Sequence, residues 1–327
     1  MKLATIESTA GNHIAVAIGG NDVLDLGALR EKFPPAGKLP GSLRDVLEQG
    51  PDGLDTIRQC LDWASDLTPG VYADLCTDRI ILPAAEVSFC PPIPEPRLIL
   101  SVGLNYWRHL QEMSGTPVPE RPTAFIKCSE TLLGSGHPIA VPPQCPDMID
   151  FEGEFCFVFS RECHRVDEAE AMDYVAGYTI ANDVSARDWV PEVFSADGTF
   201  PAIQAWERNI MGKQLPGFTP CGPYLVTRDE IDDPHDLKLE TRLNGQVMQS
   251  TRTDDLIFKL PQIIAYFSQW YRFQAGDIVT TGSPAGVGFG RDPKLFMKPG
   301  DRIEIEIEKI GTLSNIMEQT PGNGQNK

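Results

Sequence analysis

The run Met148-Ile149-Asp150-Phe151-Glu152-Gly153-Glu154-Phe155-Cys156-Phe157-Val158-Phe159 constrains this chain more than any other segment. It sets two carboxylates, Glu152 and Glu154, at period-2 spacing in a stretch that otherwise reads as a buried strand. Alternate residues of a strand share a face, so both acids point the same way, roughly 7 Å apart at the backbone. Two such charges repel each other and lose hydration unless a cation lies between them. A hard divalent cation with oxygen ligands removes that cost most simply. The other reading is a solvated strand face. Against it, Phe155, Phe157 and Phe159 fill one face while Cys156 and Val158 continue the acid-bearing face as apolar. Two acids are too few for a complete cage, so a third ligand should come from elsewhere.

The 327 residues suffice for one large domain, or a large and a small one, each with its own core. No 18-residue apolar run is present, and Met1 to Glu7 lacks the apolar core of a signal peptide. The eight cysteines are scattered, without a CxxC pair, and several lie in apolar runs. They read as reduced, core-filling thiols, which places the expected location in the cytoplasm. A formal net charge of −18 argues against nucleic-acid and anionic-membrane partners. Small anionic substrates remain open, because distant charges are screened within about 10 Å.

Residues 1–93 read as a small N-terminal α/β module: a strand meander around Gly19-Gly20-Asn21, then helices near Leu43 to Glu48 and Gly53 to Ser65. Cys90-Pro91-Pro92-Ile93-Pro94-Glu95-Pro96 has the extended bias of a linker, and the boundary is placed there, with 94–327 as the second unit. That unit is strand-rich. Strands are expected over Arg97 to Gly103, Phe151 to Phe159, Val175 to Asp183, Tyr224 to Val226, Asp277 to Thr281 and Asp301 to Lys309. Asn244-Gly245 marks a hairpin. Helices are expected over Tyr106 to Met113 and Leu256 to Ser268, and the polar tail Thr320 to Lys327 is expected to fray. The pattern favours an α+β fold with a rolled mixed sheet over a doubly wound one.

Asp183 ends the apolar run Gly177 to Ala181, where strands deliver functional side chains; it could equally cap a following helix. With Glu152 and Glu154 it would complete an all-oxygen site for Mg²⁺ or Mn²⁺. The five histidines are far apart, so no zinc cluster is formed in sequence. His109 and Glu112 stand at i, i+3 and would face each other on a helix, as a base and its orienting carboxylate or as an ordinary surface pair. Lys213 precedes a Pro/Gly-rich loop and carries little information alone. Thr281-Gly282-Ser283-Pro284-Ala285-Gly286-Val287-Gly288 follows a strand and supplies amides and hydroxyls suited to an anion, or is a simple turn.

Taken in order, these segments resemble the fumarylacetoacetate hydrolase family. The likeness runs through Val102-Gly-Leu-Asn-Tyr106, His109, Glu112, Asp150-Phe-Glu152-Gly-Glu154 and Asn182-Asp183-Val-Ser-Ala-Arg187-Asp188. It continues through Lys213, Gly222-Pro223, the 281–288 loop and Lys298-Pro-Gly-Asp301, covering about residues 95 to 317. The resemblance implies a mixed β-roll catalytic domain, commonly a homodimer, using Mg²⁺ or Mn²⁺. By position, Glu152, Glu154 and Asp183 match metal ligands, and His109 with Glu112 matches a water-activating dyad. Lys213 matches a lysine near the metal. Arg187, Tyr106 and Thr281 match the substrate side, Arg187 at a carboxylate and Thr281 in the anion-holding loop. Where members often read Asp-Gln after Ala-Arg, this chain has Asp188-Trp189-Val190, so Val190 replaces a substrate-binding amide. The interval from Val190 to Gln204 is longer than usual and carries Phe194, Phe200, Pro201 and Ile203.

The expected partner is therefore a small oxo acid or diketone. The expected reaction is metal-dependent hydrolysis of a C–C bond in a 1,3-dicarbonyl compound, a 2,4-dioxo or acylpyruvate-type acid, with Lys213 at the oxyanion and Arg187 on a carboxylate. The alternative is a decarboxylase, dehydratase or keto–enol isomerase acting on a 2-oxo acid, since each needs an enolate. A catalytically silent binding protein is the rival from outside the enzymes. Val190 and the apolar insert point to a substrate larger or more hydrophobic than oxaloacetate.

Overall fold

In a computed structural model, residues 1–113 and 116–320 are described. The polar tail beyond residue 320 lies outside them. Ten strands form one sheet in the spatial order Ile81–Pro83, Asp22–Asp25, Gly11–Ile18, Lys2–Ser8, Leu225–Thr227, Val175–Asn182, Gly153–Phe159, Ile278–Thr280, Ile99–Gly103 and Thr123–Lys127. A second, five-stranded sheet runs Gln246–Arg252, Lys238–Leu243, Arg302–Ile307, Gly311–Gln319 and Pro138–Val141. The fold is the expected strand-rich α+β type. Among the described residues no helix is long and apolar enough to cross a membrane.

The acid-bearing strand explains the layering. Phe155, Phe157 and Phe159 point into a core shared with Leu239, Ile305 and Leu313 of the second sheet. Cys156 and Val158, one residue out of phase, pack into another core with Val16, Leu24, Leu47 and Ile57 of the N-terminal segment. One strand thus welds two cores, as the period-2 pattern requires. Residues 1–93 contribute four strands to the large sheet, joined through Lys2–Ser8 on Leu225–Thr227 with Leu3 opposite Leu225. The proline-rich segment lies along the first strand, where the Thr5 hydroxyl donates to the Pro92 carbonyl at 2.7 Å.

Asn244 and Gly245 form the hairpin turn with φ of 51° and 79°, the left-handed pair that a two-residue turn of this type demands. The 190–204 interval, to which the sequence assigned no regular structure, is helical: Val190–Ser195 and Thr199–Met211. Pro191 in the first turn of the former suits a helix start.

Candidate active site

Three acids from two strands meet because of the strand register. Gly153–Phe159 runs antiparallel to Val175–Asn182 with Gly153 opposite Asn182, so Asp183 emerges beside Glu152. The Asp183 N–H donates to the Glu152 carbonyl, and the Asn182 side-chain oxygen accepts from the Glu152 N–H, both at 2.9 Å. Only glycine fits between the two glutamates, since a Cβ on Gly153 would stand 2.2 Å from Thr241 Oγ1. The carboxylate oxygens of Glu152, Glu154 and Asp183 lie within 4.8 Å of one another, and all three residues are buried.

Cations surround two of these acids. Lys213 Nζ donates to Glu152 Oε2 at 2.9 Å, Asp183 Oδ2 at 2.6 Å and Ser185 Oγ at 2.7 Å. Lys127, fully buried, pairs with Asp183 and donates to the Phe218 carbonyl at 3.0 Å. Arg187 pairs with Glu152 and reaches Asp150 Oδ2 at 3.0 Å. Burial alone would raise the Glu152 carboxyl, but Lys213 and Arg187 hold it down to about 2. Burial also opposes the Lys213 charge, yet Asp183 and Glu152 keep the ammonium above its ordinary value. For Lys127, burial wins and the ammonium is pushed down.

Glu154 differs from its neighbours. It accepts the Gly282 N–H at 3.2 Å, and among the described residues no cationic nitrogen reaches it within salt-bridge distance. Burial, then the Asp183 and Glu152 charges, push its carboxyl well above the usual range. Were all of them ionised, four buried acids (Asp150, Glu152, Glu154, Asp183) would face three cations (Lys127, Arg187, Lys213), with the charge of Glu154 the one left over. An all-oxygen donor set with an uncompensated carboxylate fits a hard divalent cation.

A cavity of about 320 Å³ opens on this cluster. His109, Glu112, Arg187, Val190 and Lys213 line it, as do Phe194, Trp206 and Ile210 of the two helices in the 190–211 segment. His109 and Glu112 lie on the short helix Trp107–Glu112, with Nδ1 and Oε2 3.3 Å apart. Glu112 Oε1 accepts the Gly286 N–H at 2.8 Å, which ties that helix to the 281–288 loop.

Two expectations need correction. Tyr106 and Thr281 are not cavity residues. Tyr106 is packed in the main core, and the Thr281 hydroxyl donates to the Phe155 carbonyl at 2.9 Å. The loop does hold anions, but they are the protein's own: Gly282 N–H serves Glu154, Gly286 N–H serves Glu112, and Gly288 N–H serves Asp150 at 2.7 Å. Lys213 is built into the cluster, its three N–H groups donated to Glu152, Asp183 and Ser185. Sequence reasoning missed Lys127 and the anchoring role of Asp150. The signal for Lys127 was a lysine ending the strand Thr123–Lys127 on the face of Phe125.

This architecture, a rolled mixed sheet carrying a buried carboxylate cluster at the mouth of an apolar cavity, is that of a metal-dependent enzyme. The family model described as fumarylacetoacetate (FAA) hydrolase C-terminal matches residues 98–318, and the chain belongs to that family. It is 36% identical to "Oxaloacetate tautomerase FAHD2A, mitochondrial" of Bos taurus over 307 residues, 94% of this chain and 87% of the relative. It is 34% identical to oxaloacetate tautomerase YisK of Bacillus subtilis (strain 168) over 317 residues, 96% and 99% of the two chains. Among solved structures, maleylpyruvate hydrolase from Sphingobium sp. SYK-6 in complex with manganese(II) ion and pyruvate aligns with a TM-score of 0.71 at 25% identity. That alignment covers 98% of this chain and 100% of the other. The likeness and the site together define an enzyme with a divalent-metal centre. The cytoplasmic expectation is overturned: the bovine relative is mitochondrial by name, and scattered reduced cysteines are equally at home there.

Proposed function

We infer that the chain is a divalent-metal-dependent tautomerase interconverting the keto and enol forms of a 2-oxo acid that carries a second carbonyl or carboxyl group. Two relatives named as oxaloacetate tautomerases support this over C–C hydrolysis. The observation that carries it is the His109–Glu112 pair, a base and its orienting carboxylate lining the cavity that opens on the carboxylate cluster. Tautomerisation develops enolate charge, which the metal would take, and needs beyond it a base that moves one proton. Hydrolysis asks in addition for an activated water and a carbon leaving group.

Glu152, Glu154 and Asp183 would hold Mg²⁺ or Mn²⁺, which when bound supplies positive charge that acidifies the C–H beside a carbonyl. Glu112 beside Nδ1 keeps the proton of His109 on that nitrogen and leaves Nε2 as the base. His109 takes a proton from the carbon next to the carbonyl and returns it to the carbonyl oxygen, so no atom is gained or lost. Arg187 spends two of its five N–H groups on Asp150 and Glu152, and the remainder can receive a substrate carboxylate. Val190 and the helices beyond it close the cavity on the apolar side. We propose that 94–327 carries the chemistry and that 1–93 buttresses it. A homodimer is proposed as the working unit, because Phe194, Phe200, Trp206 and Met211 expose a large apolar surface near the cavity.

The test follows the enol absorbance of oxaloacetate in the ultraviolet, with acylpyruvate cleavage and oxaloacetate decarboxylation measured in parallel. Tautomerisation should dominate with Mg²⁺ or Mn²⁺ and vanish with a chelator. Acylpyruvate cleavage faster than tautomerisation would return the assignment to C–C hydrolysis.

A further inference from the structure

The helix Thr199–Met211 covers the cavity and turns a narrow face inward: Ala205 and Asn209 are its buried residues. Lys213, four residues on and just beyond the helix, lines the same cavity and grips Glu152 and Asp183. Asn209 is 5% exposed and lines the cavity. Its Oδ1 is buried with no hydrogen-bond partner among the described residues. A carboxamide buried in that state loses its hydration without return unless a ligand answers it.

The surroundings say what kind of ligand group would do so. Val190, Phe194, Trp206 and Ile210 of the same covering segment, with Met113 and Phe125 opposite, give apolar walls. The charged groups of the cavity belong to the carboxylate cluster and the His109–Glu112 pair. A neutral amide among apolar walls suits a neutral oxygen, whereas a second carboxylate would ask for a cation. An acceptor without a donor suits a hydroxyl in particular.

We propose that Asn209 is a specificity-determining residue whose carboxamide hydrogen-bonds a hydroxyl on the apolar arm of a 2-oxo acid, the charged head of which lies at the carboxylate cluster. The proposal rests on the oxo-acid reading given above and names the substrate class within it: hydroxyl-bearing, longer than oxaloacetate.

The experiment compares two 2,4-dioxo acids of equal length, one ending in a hydroxymethyl group and the other in an ethyl group. Both are presented with Mn²⁺ to the full chain and to Asn209→Leu. Turnover and calorimetric Kd are read side by side. The wild type should favour the hydroxyl compound by about five- to a hundred-fold, the range set by one buried unpaired polar group, mainly in KM and Kd. Asn209→Leu should level or invert that ratio. If Asn209→Leu does not fold, Asn209→Ala is read instead. A wild-type ratio near one, or a ratio unchanged in the variant, overturns the proposal. Discrimination in Kd without turnover of either compound or of oxaloacetate supports Asn209 and sinks the catalytic assignment instead.

Discussion

Glu154→Gln separates the metal from the rest of the charge cluster. Gln has nearly the same shape, keeps an oxygen for the Gly282 N–H, and removes the one carboxylate that no cation faces. The metal-free variant should therefore be no less stable than the wild type, and more stable as pH rises. A carboxyl whose folded pKa is raised binds more protons folded than unfolded, so its contribution falls as pH climbs above the ordinary carboxylate range. Metal should reverse the ranking. A ligand at a hundred times its Kd stabilises by about 2.7 kcal/mol. Unfolding entropy of about 2.1 cal/mol/K per residue over 327 residues gives about 0.7 kcal/mol/K, so the wild-type Tm should rise by about 4 °C. Glu154→Gln should show almost none of that rise. Scanning calorimetry at pH 7.5 over a Mn²⁺ series makes the comparison. If the variant keeps the full shift at the same Mn²⁺ midpoint, the metal lies elsewhere and the charge argument fails.

Other substitutions reach different parts of the site. Asp183→Asn strips an acceptor from both Lys127 and Lys213, and should cost about 3–5 kcal/mol in urea titrations as well as abolishing metal binding; stability within 1 kcal/mol of wild type would contradict the pairing (about the worth of an exposed pair). His109→Ala should slow enol-to-keto conversion by about 10²–10⁴-fold while leaving the Mn²⁺-induced Tm shift intact, and full activity would remove His109 from the mechanism. Lys127→Met leaves Asp183 paired only with Lys213, so its urea midpoint should fall by an amount corresponding to about 3–5 kcal/mol; an unchanged midpoint would show that the buried ammonium contributes nothing. Phe200→Glu should weaken self-association in sedimentation equilibrium, and a wild-type mass of one chain would exclude the homodimer outright.

The framework was legible where local pattern and fold agree. Alternation marked the acid strand and both of its faces, Asn244-Gly245 marked the hairpin joining Lys238–Leu243 to Gln246–Arg252 in the second sheet, and Glu152, Glu154 and Asp183 were found because ionised side chains have no business in such apolar runs unaided. Arg187, His109 and Glu112 also reach the cavity, on the strength of ordered motifs more than of spacing. What stayed hidden was tertiary. Nothing local says that the three donors of Lys213 are consumed, or that Tyr106 turns its ring to the core. Lys127 was invisible because a lone lysine ending a strand is ordinarily solvated, and only the roll of the sheet carries it to Asp183. The helices over 190–211 were obscured by Pro191, Gly198 and Pro201, which read as loop residues and in fact mark helix starts.

The first strand has a bearing on how this protein can be cut or fused. Lys2–Ser8 occupies the hydrogen-bonding side of Leu225–Thr227, and the N-terminal segment roofs Cys156, Val158, Ala275 and Ile278. A fragment trimmed to the family-matched residues 98–318 would keep every metal-binding and proton-transfer residue named above. It would also bare an unpaired strand edge beside a stripe of exposed apolar side chains, the template on which other chains add and aggregates grow. Insolubility of such a fragment would thus report a stripped sheet edge and say nothing against the chemistry it carries.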